Sequence, residues 1–254
     1  MSDYNNSITP VVNQSIEDKL LHNRVIWLKD EVTDKTVNEA INKILILHAE
    51  DPNADIYMYI SSPGGSITAG MGLYDIYNFV SNDIVTFGIG MCASMGQFLL
   101  SSGTPGKRFI LPSTRVLMHQ PSGGISGVES DVRIEADLIN DMKAKMAQLT
   151  SEQTGHTVEE ILNDNEYDHW YTAEQALDYG FIDHIVTTEQ EMKAFLDDKD
   201  GISRIQNAYE LRKKKLNAGA DNDADNNASK TPARRTTTRR TTRRRTAKEP
   251  EKNK

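Results

Sequence analysis

Apolar and polar positions change their period several times along this chain, and each change marks an element. In ADIYMYI (Ala54 to Ile60), Ile56, Met58 and Ile60 alternate with Tyr57 and Tyr59, the two-residue period of a strand. The turn residues SSPGGS follow, then ITAGMGLYDIYNFV with a helical spacing. IVTFGIG (Ile84 to Gly90) is a continuous β-branched and apolar run bounded upstream by Ser-Asn-Asp, which reads as a fully buried strand. MGQFLLSSG, with Met95, Phe98 and Leu99 apolar, reads as a short buried helix that stops at Gly103. Upstream of both units, Thr36 and Glu39 form a capping-box pattern opening a helix over VNEAINKILILHAE, with Val37, Ile41, Ile44 and Leu45 on one face. Downstream, KRFIL and TRVLMH read as strands and QPSGG as a turn. A long helix from about Val128 to Thr150 directs Val132, Leu138, Ile139, Met142, Met146 and Leu149 towards a core. VEEILND and AEQALDYG are helical, and FIDHIV closes the ordered body as a strand. Strands alternating with helices predict an α/β fold of parallel strands joined by crossover helices.

Parallel strands put their turns on one edge, where ligands bind. Ser94 stands on that edge, at the join of a buried strand and a buried helix. There its side chain can project from the carboxyl end of the sheet beside the free N–H groups of a helix start, the idea of a nucleophile elbow, although Cys92 stands where that motif has glycine. An N-cap serine is the alternative reading of the same position. Gly64 and Gly65, without Cβ atoms, let a backbone N–H approach a substrate closely, or simply form an ordinary turn. Of six histidines, His119 ends an apolar strand directly before a Pro-Ser-Gly-Gly turn, whereas His48 falls within a helix and His156 within a TGHT loop. A carboxylate to orient His119 must come from a loop near the same edge; Asp168 in NDNEYDHWYTAEQA is a candidate, with Glu166 and Asp164 as competitors by position.

Composition changes the picture at the two ends. The chain has 254 residues and a net charge of −8, but Lys230 to Lys254 holds 11 Lys/Arg against 2 Glu, so this stretch carries +9 and the remainder −17. An acidic body argues against nucleic acid as its partner. The last stretch, ASKTPARRTTTRRTTRRRTAKEPEKNK, has no large apolar residue and cannot offset the entropy of ordering, so disorder is expected over 216–254. Composition leaves open whether its Arg clusters bind RNA, acidic lipid or an acidic subunit, or stay solvated. No apolar run approaches the roughly 20 residues of a membrane span. The polar N-terminus resembles neither a secretory signal nor a transit peptide, and a single cysteine fits a reducing compartment, so a cytoplasmic location is expected.

Four stretches carry a family resemblance. YISSPGGSITAGMGLYD, GMCASMGQFLL, GKRFILPSTRVLMHQPSGG and AEQALDYGFIDHI resemble, in this order, the proteolytic subunit of the Clp ATP-dependent protease, over about Arg24 to Val186. The resemblance implies a crotonase-like Clp-protease fold with a protruding strand-helix handle. It implies a 1–23 N-terminal arm, a 24–200 protease domain and a 201–215 C-terminal extension ahead of the tail. It makes Ser94 the nucleophile, His119 the general base and Asp168 its orienting acid, with the backbone N–H groups of Gly65 and Met95 as oxyanion donors. It maps a chaperone-docking pocket onto Tyr57, Tyr59, Phe87, Ile89, Phe109, Leu111 and Val186, of which Ile89 and Leu111 are expected to be core. It implies no cofactor and no metal. The implied partners are a hexameric Clp-family ATPase that feeds unfolded polypeptides, and further copies in two stacked heptameric rings, alone or with a paralogous subunit. The chain departs from the family in three places: the N-terminal arm lacks a Gly-Glu-Arg segment, Tyr167 replaces an arginine used in an inter-ring ion pair, and the tail has no counterpart. Two other readings compete: an acyl-CoA enzyme of crotonase fold, and a weakly active or regulatory ring subunit that assembles with an active paralogue. Nucleic-acid binding by the tail would be an accessory role only.

Overall fold

The computed structural model describes residues 16–121 and 128–228, with side chains to residue 216. Of the 216–254 stretch expected to be disordered, residues 216–228 are helical, and the rest of it, with most of the QPSGG turn, lies outside the described residues. The chain divides into two units, Met1–Leu216 and Asn217–Lys254, and the sheet and site belong to the first. In chain order the elements are β1 (Val25–Leu28), α1 (Asp34–Glu50), β2 (Ile56–Ser62), α2 (Ile67–Phe79), β3 (Ile84–Ala93), α3 (Met95–Ser101), β4 (Arg108–Ile110), β5 (Arg115–Met118), α4 (Glu129–Thr154), α5 (Val158–Asp164), β6 (His169–Tyr171), α6 (Ala173–Tyr179), β7 (His184–Ile185), α7 (Glu189–Asp197) and α8 (Lys199–Ala228). This is a mixed α/β architecture with a mainly parallel sheet, as the alternation of periods predicts.

The sheet runs β1-β2-β3-β4-β7, all parallel, while β5 pairs with β3 and β6 pairs antiparallel with β5. β3 is the pivot because it is long. Its first half, Thr86 to Gly88, pairs with β4, and its second half, Met91 to Ala93, pairs with β5. At this fork the pairing with β2 shifts: Ile60 faces Gly88, but Ser62 faces Cys92. The extra residues of β3 pass through Gly90 at φ 70°, a conformation that suits a residue without Cβ. The alternation read from β2 holds: Ile56, Met58 and Ile60 are buried, and Tyr57 and Tyr59 are half-buried. Ile56, Met58 and Ile60 form one core with Leu73 of α2, Phe98, Leu99 and Leu100 of α3, and Phe181. Each such side chain contributes about 1.5–3 kcal/mol relative to exposure.

Four expectations are corrected. The capping box of α1 is Thr33 with Thr36, so Thr36 is the third helical residue and not the cap. The buried face of α1 is Val37, Ala40, Ile44 and Leu47, and Leu45 points outward. On α4 only the last turns pack: Leu149 is buried, but Val132 and Leu138 are exposed, because the first half of the helix extends past the core. The closing strand shrinks to His184–Ile185, since Phe181 and Ile182 precede it as core residues outside the ladder. Among the described residues no helix is long and apolar enough to cross a membrane.

A buried ion pair ties the distal ends of these elements together. Arg108 of β4 and Asp183 before β7 are both about 4% exposed and meet at 2.7 Å and 2.9 Å. The remaining guanidinium N–H groups donate to the carbonyls of Ser101, Gln153 and Gly180, at the ends of α3, α4 and α6.

Candidate active site

The site is assembled by strand register. Ala93 at the end of β3 is paired with Leu117 of β5, so Ser94 follows one strand as Met118 continues the other. Met118 is in turn paired antiparallel with His169 of β6. One step further along each chain direction brings His119 and Asp168 opposite each other. The separation from His119 Nδ1 to Asp168 Oδ1 is 3.8 Å, within ion-pair range and longer than a hydrogen bond. Asp168 is largely exposed and His119 mostly covered. Of the two competitors, Asp164 accepts from the Tyr179 hydroxyl at 2.7 Å, and the Glu166 backbone carbonyl accepts from Gln120 Nε2 at 2.9 Å.

Ser94 occupies the N-cap position of α3 at φ 54° and ψ −121°, a strained region for a residue with a side chain. Its N–H donates to the Leu117 carbonyl at 2.9 Å, and its carbonyl accepts the Phe98 N–H at 3.0 Å. Its hydroxyl makes no capping bond. Thr33, Ser66, Thr157, Thr172 and Thr188, at the starts of five other helices, all do. The N-cap alternative is therefore not realised, and Ser94 Oγ is left available. Cys92, two residues earlier, offers no rival nucleophile: burial pushes its thiol up to about 12.

The two turns at this edge touch. A Cβ on Gly64 (φ 94°) would fall 2.6 Å from Ser94 Cβ and 2.7 Å from the Ala93 carbonyl oxygen, so only glycine permits the approach. A Cβ on Gly65 (φ 145°) would collide with the Val32 carbonyl. Val32 N–H donates to Gly64 and Ser66 N–H donates to Val32, which leaves the Gly65 N–H outside that ladder. Met95 opens α3, so its N–H is one of those a helix leaves without an intrahelical acceptor. Gly64→Ala should lower peptidase turnover about 10²-fold by displacing this turn, the scale of a 1 Å misplacement in an active site. It should also cost roughly 1–3 kcal/mol of stability from the forced backbone conformation. Gly72→Ala, where a Cβ meets nothing within 4 Å, is the control and should change neither adversely. Steady-state turnover and thermal unfolding of the two variants check this.

Ser94 and His119 line an open cleft of about 700 Å³ together with Glu31, Gly64, Gly65 and Thr68. They also line a small slot of about 30 Å³ walled by Ile67 and Met146. Glu31, Thr68 and the slot residues were not signalled by sequence, since period and motif say nothing of which helix faces a distant turn. Where β2 pairs with β3, Tyr59 and Phe87 lie 5.1 Å apart, centroid to centroid. Phe109 and Val186 are fully buried with Val85, while Tyr57 and Phe87 pack partly exposed against them. Ile89 and Leu111 are half-buried, so the core expectation falls on the wrong pair. Burial raises the pKa of both Tyr57 and Tyr59, which therefore stay neutral. Among the described residues no group of three His, Cys, Asp or Glu is placed to hold a metal ion. Tyr167 is 78% exposed.

The family model of Clp protease matches residues 10–189. The chain belongs to the Clp protease family. Proteolytic subunit 2 of the ATP-dependent Clp protease of Bifidobacterium longum is 61% identical over 173 residues, covering 68% of this chain and 84% of that protein. The corresponding subunit 2 of Tropheryma whipplei is 58% identical over 174 residues, 68% of this chain and 97% of its own length. Proteolytic subunit 1 of Leifsonia xyli is 58% identical over 174 residues, 68% and 88% of the two chains. The peptidase function expected from the motifs holds, and the acyl-CoA reading falls away. Ser94, His119 and Asp168 all lie inside the family match, and α8 lies beyond it.

Proposed function

We propose that this Clp-family peptidase subunit is a serine endopeptidase in which Ser94, His119 and Asp168 form the catalytic triad. The observation that carries this reading is the β3–β5–β6 register, with an uncapped, strained serine at one strand end and the His119–Asp168 pair at the next two. His119 removes the Ser94 proton as Oγ attacks a peptide carbonyl. The N–H groups of Gly65 and Met95 receive the developing oxyanion, each such donor being worth about 2.7–4 kcal/mol where one has been removed. Protonated His119 then gives its proton to the leaving amine, and water releases the acyl group by the reverse route. Asp168 orients the imidazole, and its 3.8 Å separation is the loose geometry that catalytic pairs show before substrate binds. A fluorophosphonate should add to Ser94 and to no other serine in intact-mass and peptide mapping; labelling elsewhere, or none, would overturn the assignment.

In the assembled protease, a hexameric Clp-family ATPase delivers unfolded polypeptides in the cytoplasm, docking on the pocket edged by Tyr57, Tyr59 and Phe87. The subunits form heptameric rings, and the protruding half of α4, with Val132 and Leu138 exposed, serves as the handle between two rings. The relatives' numbering as subunits 1 and 2 supports a paralogue as ring partner. Tyr167 cannot supply the charge and bidentate geometry of the arginine it replaces, so ring stacking by this chain alone should be weak. Sedimentation of the wild type at micromolar concentration should give single rings or smaller species, and Tyr167→Arg should shift it towards fourteen subunits. A stable fourteen-subunit wild-type particle would refute this.

A further inference from the structure

The helix α8 covers a second cavity, of about 340 Å³, a volume in the range of small-molecule sites. None of its lining residues belongs to the Ser94 cleft. Two contacts hold the helix there. Ile202 packs on Gly106, where a Cβ would fall 3.2 Å from the Ile202 Cα, and Arg212 Nη1 donates to the Thr154 carbonyl at 2.9 Å. Between these contacts Gln206 and Tyr209 line the cavity, together with Tyr74 and Tyr77 of α2, Ser101 of α3 and Gln153 of α4.

Two buried polar groups of this wall have no partner. Tyr77 and Gln153 are 6% and 3% exposed, and the Tyr77 hydroxyl and Gln153 Oε1 are both enclosed without a hydrogen bond. The Gln153 amide is fixed in its orientation. Its Nε2 donates to Ser102 Oγ at 2.8 Å, and the Ser102 hydroxyl proton goes to the Phe98 carbonyl at 2.7 Å, so a flipped amide would find no donor there. A carbonyl and a phenol that have both given up water without replacement are groups that a bound molecule would satisfy.

We propose that this cavity binds a small neutral polyhydroxy compound, of the sugar or cyclitol class, between α8 and the ends of α2, α3 and α4. A hydroxyl both donates and accepts, so neighbouring hydroxyls of one ligand meet both needs: one gives its proton to Gln153 Oε1, and one receives the proton of Tyr77. Burial raises the pKa of Tyr77, and that of Tyr209 to about 12, so both keep their O–H. The rings of Tyr74, Tyr77 and Tyr209 add apolar surface for the C–H faces of such a ligand. Nothing in the wall calls for a net charge, because its buried residues are neutral and its two charged ones, Glu210 and Lys213, are opposite in sign. The α8 wall lies beyond the family match, so the peptidase chemistry does not account for it. A molecule bound here touches helix and body together and so keeps α8 docked.

Calorimetric titration of the full chain with glucose, trehalose and inositol tests this, with zwitterionic glutamine and anionic gluconate as controls. At least one neutral probe should bind saturably and raise the thermal midpoint. Tyr77→Phe keeps the ring and removes the hydroxyl, and should weaken that binding about 10-fold or more. Without ligand the same variant should unfold no earlier than wild type, since the hydroxyl it loses has no partner. Tyr209→Ala should also weaken binding, which places the site at α8. Fluorophosphonate labelling of Ser94 should be alike in wild type and both variants, so the outcome does not depend on the triad. Tighter binding of a control, no binding of any neutral probe, or binding undiminished in Tyr77→Phe would overturn the proposal. Earlier unfolding of Tyr77→Phe without any binding would show that ordered water holds the hydroxyl instead.

Discussion

Replacing Ser94 by alanine should lower peptide cleavage by a factor of about 10⁴ or more, the range found when a triad nucleophile is lost. It should also abolish fluorophosphonate labelling while the fold remains intact. The thermal midpoint should hardly move. Alanine retains Cβ, so it meets the same strain at φ 54°, and the Ser94 hydroxyl makes no capping bond whose loss would weaken α3. The combination is diagnostic, because a structural serine at a helix start would behave in the opposite way. Loss of a capping hydroxyl typically costs about 1 kcal/mol of stability and leaves chemistry alone. Turnover, midpoint and labelling measured on one preparation free of other proteases decide the matter, and retained cleavage would sink the assignment.

The second large effect concerns stability alone. Asp183→Ala should destabilise the domain by about 3–5 kcal/mol, because it leaves the Arg108 guanidinium buried and without its partner. Burial by itself would raise the Asp183 pKa. Arg108, together with the backbone N–H groups of Arg108 and Gly106, more than offsets this and holds the carboxyl below its ordinary value. A carboxyl depressed in the folded state stabilises fully above its unfolded pKa of about 3.9 and loses that contribution as pH falls through the folded value. Wild-type stability should therefore decline in acid below about pH 4, and that decline should be shallower in Asp183→Asn. Denaturant titrations at neutral pH and at about pH 3 measure both. Equal slopes with acid, or a cost under about 1 kcal/mol for Asp183→Ala, would show that the pair contributes little. An apolar double replacement, Arg108→Met with Asp183→Leu, should recover much of the loss, since removing both charges leaves neither one stranded.

What could be read in advance follows the range of the interactions involved. β2 was legible because its two faces differ in burial, and a two-residue period survives in any context. The far end of β3 was not, because Gly90 and Met91 interrupt the apolar run at the fork and both are exposed there. On α4 the apolar spacing is regular from end to end, and nothing local reveals that the sheet stops halfway. Thr33 and Thr36 both suit the start of α1, and only geometry separates cap from third residue. Ser94 and His119 could be proposed from chemistry at strand ends. Asp168 could not be separated from Glu166 and Asp164 by position, because what sets it opposite His119 is the antiparallel pairing of β5 with β6. The buried polar residues Gln97 and Asn165 gave no signal at all. Polar residues that turn inward break the pattern by which interiors are recognised.

The dependence of the site on register has a consequence for the young polypeptide. Ser94, His119 and Asp168 are separated by long stretches of chain and meet only after β5 has joined β3 and β6 has turned back onto β5. Contacts of such sequence separation form late, once loop closure has been achieved. A nascent chain on the ribosome therefore displays the serine long before it possesses a protease. The strained turn that exposes the hydroxyl, held against Gly64, cannot persist without that packing. On the proposed triad, latency during synthesis follows from the topology, and the site comes together as one of the last acts of folding.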